Sequence, residues 1–174
     1  MFNSYSWFLF ASKVNSSFDV HVTSWNVEFD VGEGETTTNI NFNVDRIFPG
    51  MEDFSQTLTA HNKGELKATL SYKIKSFTIL GEEYKVNENT TEEDLFYMLQ
   101  NNYPFKVNIE VSDSDLETGT GNGSLTISLN WPFESDNDEL DTYWGERAYS
   151  FYEQHPGQDC FSIYLEITAT QNNG

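Results

Sequence analysis

Alternation of apolar and polar residues with a period of two is the feature that most constrains the fold of this chain. The clearest run covers residues 105–111. Its apolar residues are Phe105, Val107, Ile109 and Val111. Because successive side chains of a strand point to opposite faces, such a run needs one buried and one solvated face. Roughly seven or eight runs of this type, separated by Gly, Asn and Asp, predict an all-β protein built as an antiparallel β-sandwich of jelly-roll or Ig-like type.

Two segments have helical rather than strand periodicity. The first begins at a capping-box pattern, with Thr90 as the N-cap and Glu93 at the third helical position, and ends near Asn101. The second is predicted over residues 139–153, with Asp138 as its cap. We therefore expect two short helical insertions in the sandwich.

Turn residues separate the strands. Phe48-Pro49-Gly50 predicts a β-turn, because proline suits its second position and glycine tolerates a positive φ. Asn62-Lys63-Gly64 predicts a hairpin that joins a strand over 54–60 to a long strand over 66–79. The apolar phase of the long strand shifts between Ile74 and Phe77, which is typical of a β-bulge or a break.

The chain has 174 residues and no recognisable linker or internal repeat, which predicts one globular domain. We assign residues 17–174 to that β-sandwich domain and residues 1–16 to an N-terminal apolar segment. The apolar patch in that segment consists of Trp7, Phe8, Leu9 and Phe10. A β-prone terminal segment can complete its own sheet or pair with the edge of a neighbouring copy, so these residues are candidates for self-assembly. An ordinary first strand or the remnant of a leader peptide is the alternative.

The charge balance excludes whole classes of partner. Nine basic and 28 acidic residues give a net charge of −19. Such a surface repels DNA, RNA and anionic lipid, so we expect no nucleic-acid partner. The longest apolar stretch, residues 7–11, is too short for a membrane span or a signal-peptide core. An acidic surface fits an extracellular or salt-exposed protein, although many cytosolic proteins are acidic too; of these we expect an extracellular location or the cell surface.

No pattern in the chain predicts an enzyme. The three histidines, His21, His61 and His155, form neither a His-x-x-x-His pair nor an HExxH motif, so no metal site is predicted from them. Cys160 is the only cysteine and is interpreted as a small packed side chain, not a nucleophile. Nucleophile-elbow, P-loop and dinucleotide-binding motifs are absent from the sequence.

Two acidic segments leave alternatives open. Residues 134–141 and the loop around 113–117 are rich in carboxylates, whose oxygens are the ligands that Ca²⁺ prefers. Acidic residues at the start of a helix are equally expected, because they stabilise the positive end of the helix dipole. Aromatic residues of the second predicted helix, such as Trp144, fit either sugar stacking or packing against the sheet.

The turn at Phe48-Pro49-Gly50, the strand after it and Asn62-Lys63-Gly64 together resemble the hairpin of the TasA/camelysin family of secreted Gram-positive proteins. The segment Trp25–Phe29 looks like the start of the mature proteins of that family. The region from Trp131 through Gly145 to Gln171 is similar to uncharacterised Firmicutes surface proteins of this type. The resemblance spans most of the chain.

The resemblance implies a jelly-roll-like sandwich, export through a specialised signal peptidase and a role at the cell surface or in the biofilm matrix. Some members polymerise by donating an N-terminal strand to the next subunit, which would place the donor within residues 6–18 of this chain. Camelysin is regarded as a metalloprotease. This chain has no zinc-ligand pattern, so that activity is not carried over.

We therefore expect a secreted structural protein of the cell surface or biofilm matrix, without a cofactor, that self-associates into fibres by donor-strand exchange. The alternative is an extracellular module that binds Ca²⁺ or a surface glycan through its acidic loops. The size of an assembling protein depends on its concentration, whereas the melting temperature of a binding module depends on its ligand. These two dependences distinguish the hypotheses.

Overall fold

A computed structural model describes residues 24–29, 35–62, 66–119 and 121–171 of the chain. These residues form nine strands and two helices. In chain order the elements are β1 (Ser24–Phe29), β2 (Glu35–Val44), β3 (Met51–Asn62), β4 (Ala68–Ile79), β5 (Glu82–Lys85), α1 (Glu92–Asn101), β6 (Lys106–Ser112), β7 (Asp115–Leu116), β8 (Asn122–Trp131), α2 (Asp138–Gln154) and β9 (Phe161–Gln171).

The strands form two sheets. The first has the order β1-β3-β8-β6 and the second has the order β2-β9-β4-β5, with β7 also paired to β4. All pairs are antiparallel except β1 with β3. Side chains from the inner faces of both sheets form one hydrophobic core. The predicted all-β sandwich with two short helical insertions is confirmed.

Local backbone signals in the sequence are confirmed where they concern a single turn or strand. Gly50 has a φ of 80° and the N–H of Met51 donates to the carbonyl of Phe48, as a β-turn at this position requires. The register of β4 against β9 shifts between Ile74 and Ser76, where the apolar phase of the sequence changes. These features depend on neighbouring residues alone, which is why the sequence predicts them.

The predicted hairpin at residues 62–64 is wrong. The strands on either side of it, β3 and β4, belong to different sheets: β3 pairs with β1 and β8, and β4 pairs with β9, β5 and β7. The Asn62 side chain is buried, and its Nδ2 donates to the carbonyls of Leu66 at 2.8 Å and Leu116 at 3.2 Å. Asn62 therefore links the end of β3 to the second sheet. A hairpin would instead have placed β4 beside β3 in the first sheet.

The acidic loop after β6 contains a strand that the sequence analysis missed. Within the acidic loop around residues 113–117, β7 pairs with the start of β4, with Leu116 opposite Ala68. The Leu116 side chain is buried in the core. One apolar residue among carboxylates and glycines is too short a pattern to predict a strand, but it suffices to fix this loop on the second sheet.

The N-cap of each helix lies one residue away from the predicted N-cap. The N-cap of α1 is Thr91, whose side chain accepts from the Asp94 N–H while the Asp94 side chain accepts from the Thr91 N–H. Thr90 instead pairs with Asn87 in a β-bridge. In α2 the N-cap is Asn137, which accepts from the Leu140 N–H at 3.0 Å. Adjacent Thr or Asn/Asp residues have similar capping preference, so tertiary contacts decide between them.

Replacing Thr91 with alanine is expected to lower the free energy of unfolding by about 1 kcal/mol, because the cap of α1 is lost. The matched variant Thr90→Ala leaves that cap intact and should change stability less. Hydrogen bonds from the Thr91 backbone and side chain lower the pKa of Asp94. This stabilisation is present above the ordinary pKa of about 3.9 and is lost as the pH falls through the lower folded value. Urea unfolding of both variants at pH 7 and pH 3 tests this expectation.

Candidate functional site

A groove lies between α1 and β4. It has a volume of about 620 Å³. Its lining residues are Tyr72, Ile74, Glu92, Glu93, Phe96, Tyr97, Gln100 and Asn101. A volume in this range is typical of sites that bind a small molecule or a short peptide.

The amphipathic character of α1 produces the apolar part of the groove. Leu95 and Leu99 are one helical turn apart and are buried in the core. Phe96 and Tyr97 fall outside that buried stripe and remain 44% and 65% exposed. Large aromatic rings that stay exposed beside a concavity indicate a contact surface, because their burial by a partner is favourable.

Two side chains of α1 form hydrogen bonds with strands of both sheets. Glu92 Oε1 accepts from the N–H of Ile74 in β4 at 2.9 Å. At the other end of the helix, Gln100 Nε2 donates to the carbonyl of Val107 in β6 at 2.6 Å. Since β4 and β6 belong to different sheets, α1 bridges the two layers and holds the groove in place.

The groove adjoins an incomplete sheet edge. On the side of β4 away from β9, β7 and its flanking loop reach as far as Leu70, and β5 pairs with residues 76–79. The carbonyl of Lys75 accepts from Val86. Between these partners, over residues 71–74, no described strand pairs with this side of β4, whereas β9 pairs with its other side. Alternation along an antiparallel strand turns the N–H and C=O of Tyr72 to this open side, together with the Ile74 N–H that Glu92 occupies.

The charge of the groove is negative. Glu92 and Glu93 line it, and Asp94 follows them in the first turn of the helix. Burial, and secondarily the charge of Glu92, raise the pKa of Tyr72, whose phenol is neutral at physiological pH and adds no charge to the groove. No basic residue is among those that line the groove. A partner for this site is therefore expected to be cationic or neutral.

The candidate self-assembly residues Trp7, Phe8, Leu9 and Phe10 lie outside the described residues.

The groove was not predicted from the sequence. Its signal was nevertheless present: Phe96 and Tyr97 are two apolar residues that do not fit the Leu95/Leu99 stripe of an amphipathic helix. The polar contact of Glu92 with β4 has no sequence signature, because it depends on the packing of α1 across the sheet edge.

The first acidic segment, residues 134–141, is not a cluster of converging carboxylates. Asp141 is 4% exposed and accepts from Trp131 Nε1 at 2.8 Å and from Ser135 Oγ at 2.8 Å. Asp138 begins α2 and is exposed. The Asp141 oxygens thus accept hydrogen bonds from groups inside the protein, whereas the acidic residues beside it are exposed to solvent.

The carboxylates of the second acidic segment bind separate partners. Glu117 forms an ion pair with Lys67 at 2.7 Å, and Asp115 accepts from Thr69 at 3.4 Å. Among the described residues, no three His, Cys, Asp or Glu side chains come together in a group that could hold a metal ion.

Cys160 is buried at the start of β9, as the sequence analysis expected of a packed side chain. Burial raises the pKa of its thiol to about 12, so the nucleophilic thiolate is scarce at neutral pH. We expect the folded protein to be inert to a thiol reagent such as dithionitrobenzoate at pH 8 and to react fully in 8 M urea. Rapid stoichiometric reaction of the folded protein would contradict a packed role for Cys160.

Neither helix in the described part of the chain is long and apolar enough to cross a membrane. No protein-family model, curated protein sequence or solved structure matches this chain.

Proposed function

We propose that the protein is a secreted structural component of the cell surface or biofilm matrix that assembles by adding a strand of one copy to a sheet edge of another, and that it is not an enzyme. The edge of β4 over residues 71–74, which on the side away from β9 pairs with no described strand and lies beside an aromatic groove, carries this proposal. An unpaired strand edge presents backbone donors and acceptors that another strand satisfies. The apolar residues 7–10 provide a segment suited to form that strand.

The engagement of the acidic groups favours assembly over the alternative of a Ca²⁺-binding module. Asp141 is used by Trp131 and Ser135, and Glu117 is paired with Lys67. Binding of a hard cation needs six to eight oxygen ligands, most of them on converging side chains or carbonyls. Asp141 and Glu117 instead bind partners within the protein, and the other acidic residues of residues 134–141 are exposed.

Substitution of the N-terminal aromatic residues in the full-length chain tests the proposal. The triple variant Trp7→Ser, Phe8→Ser and Phe10→Ser is expected to elute as a 20.0 kDa monomer at concentrations where the unsubstituted chain forms larger species. The matched control replaces Phe133 and Tyr143, which are 55% and 52% exposed and lie outside the groove, with serine. Light scattering should show that the control assembles normally. Unchanged assembly of the triple variant would contradict the proposal.

A further inference from the structure

The polar side chains that α1 contributes to the groove offer hydrogen-bond acceptors. Glu92 and Glu93 contribute carboxylate oxygens, which only accept when they are ionised. The side-chain nitrogen of Gln100 donates to a carbonyl of β6 at 2.6 Å, and that of Asn101 donates to a carbonyl of α1 at 2.8 Å. Since each amide nitrogen already donates within the protein, the amide oxygen is the main group left for a ligand. The groove therefore favours a ligand that brings N–H donors.

The lining of the groove changes in character along α1. In helical order it consists of two carboxylates, two aromatic rings and two amides: Glu92, Glu93, Phe96, Tyr97, Gln100 and Asn101. From the first carboxylate to the first amide the helix rises by about 12 Å, at roughly 1.5 Å per residue. An extended peptide of about four residues has a similar length. A ligand of this size meets a negative end, an aromatic middle and a neutral polar end.

The aromatic rings favour a cation over a neutral donor. Phe96 and Tyr97 are 44% and 65% exposed, and Tyr72 contributes a third ring from β4. A guanidinium or ammonium group over the face of such a ring is attracted by its electron density. The planar guanidinium of arginine adds N–H donors whose arrangement matches a carboxylate. Rings beside carboxylates are therefore suited to an arginine side chain.

The basic residues of neighbouring segments do not fill this site. Lys73 and Lys75 alternate to the other face of β4, where Lys75 forms an ion pair with Glu166 at 3.8 Å. Lys106 donates to the backbone carbonyl of Gln100 at 3.2 Å, at the end of α1 away from the carboxylates. Among the described residues that line the groove, none is basic. With nine basic and 28 acidic residues, the chain itself is a poor source of the missing cation.

From this charge complementarity and the order of the lining, we propose that the groove between α1 and β4 binds an arginine-bearing peptide segment of another protein. The guanidinium contacts the carboxylates of the first turn of α1 and stacks on Phe96 or Tyr97. Peptide N–H groups donate to the amide oxygens at the far end of the helix. Glu92 Oε1 stays bonded to the Ile74 N–H, which leaves Oε2 for the ligand. The inference concerns the side chains of the groove and does not rest on the proposed assembly.

Isothermal titration calorimetry on the full-length protein tests this site with a defined probe. The probe is the tetrapeptide acetyl-Ala-Arg-Ala-Ala-amide, and its control has citrulline in place of arginine, which keeps the shape and removes the charge. Physiological ionic strength screens attraction to the acidic surface at large. We expect the dissociation constant of the arginine peptide to be at least ten times lower. Equal affinity for the two peptides, or no binding of either, would overturn the proposal.

Matched variants place the binding in the groove. Glu93→Gln with Tyr97→Ser is expected to weaken binding of the arginine peptide at least tenfold. The control, Glu139→Gln with Tyr143→Ser, removes the same charge and an exposed tyrosine outside the groove, and should change the affinity by less than about twofold. All four side chains are exposed, so both variants should fold. Equal weakening in both variants would show that the peptide binds the acidic surface without a site, and would contradict the proposal.

Competition with two small cations tests the chemistry of the ligand. Tetramethylammonium carries a charge but no N–H donor, so we expect it to displace the arginine peptide at least ten times less effectively than methylguanidinium does. Equal displacement by both cations would contradict the role of the acceptors. Spermidine that binds more tightly than the peptide would identify a free polyamine as the occupant and would overturn the assignment to a peptide.

Discussion

Replacing Asp141 with alanine is expected to lower the free energy of unfolding by about 3 kcal/mol or more. The Asp141 carboxylate is buried and accepts hydrogen bonds from the indole N–H of Trp131 and from the hydroxyl and backbone N–H of Ser135. Hydrogen bonds to a charged group contribute about 1.5–3 kcal/mol each, and donors left buried without a partner cost the desolvation of their polar groups. The variant leaves the fully buried Trp131 N–H unpaired.

Two further variants determine whether this loss comes from the hydrogen bonds. Asp138→Ala removes an exposed carboxylate from the first turn of the same helix and is expected to change stability by less than about 1 kcal/mol. Asp141→Asn keeps the shape and one acceptor oxygen but turns an amide N–H₂ toward a donor, so its effect should be intermediate. Urea unfolding followed by circular dichroism gives the three values. Equal losses for Asp141→Ala and Asp138→Ala would contradict this role.

Replacing Phe105 with alanine is expected to cost about 3–5 kcal/mol, because it opens a cavity where the two sheets meet. The Phe105 ring is fully buried. Its centroid lies 5.0 Å from that of Tyr103, 5.6 Å from Phe161 and 5.9 Å from Trp131. These rings come from β8, from β9 and from the segment before β6, so one side chain connects both layers. The free energy of unfolding of a small domain is only about 5–15 kcal/mol, so this variant would retain little of its stability.

The control for this prediction is Phe96→Ala, the same substitution at a 44% exposed ring. It is expected to lower the free energy of unfolding by clearly less than Phe105→Ala does, because a ring that is 44% exposed loses less buried area and leaves no enclosed cavity. Both variants are compared by urea unfolding under one condition. A cost for Phe105→Ala that is no larger than that for Phe96→Ala would show that the aromatic core does not hold the sheets together.

The sequence predicts the local parts of this fold well. Within the described residues the period-two runs correspond to strands, the Pro49-Gly50 turn forms, and the phase shift near Ile74 is a register shift in β4. Each of these depends on residues that are close together in the chain. The pairing of β3 is different, because its partners are chosen by packing: its alternating pattern fits a hairpin with β4 as well as the observed place beside β8.

The candidate site could be predicted only in part. The aromatic pair Phe96 and Tyr97 is visible in the sequence as residues outside the apolar stripe of α1. The acidic segment that contains Asp141 suggested an open choice between helix stabilisation and Ca²⁺ binding, whereas its one buried member binds Trp131. The spacing of residues 134–141 does not distinguish Asp141 from the exposed acidic residues. Which of them is buried depends on the side of α2 that faces β8.

The distribution of molecular mass with concentration tests the central claim most directly. Size-exclusion chromatography with light scattering is run on the full-length protein over a hundredfold range of concentration, and the largest species are imaged by negative-stain electron microscopy. Strand addition between copies predicts a ladder of oligomers that lengthens with concentration and ends in filaments. A single species of 20.0 kDa at every concentration would contradict assembly and would leave the groove as a site for a different partner.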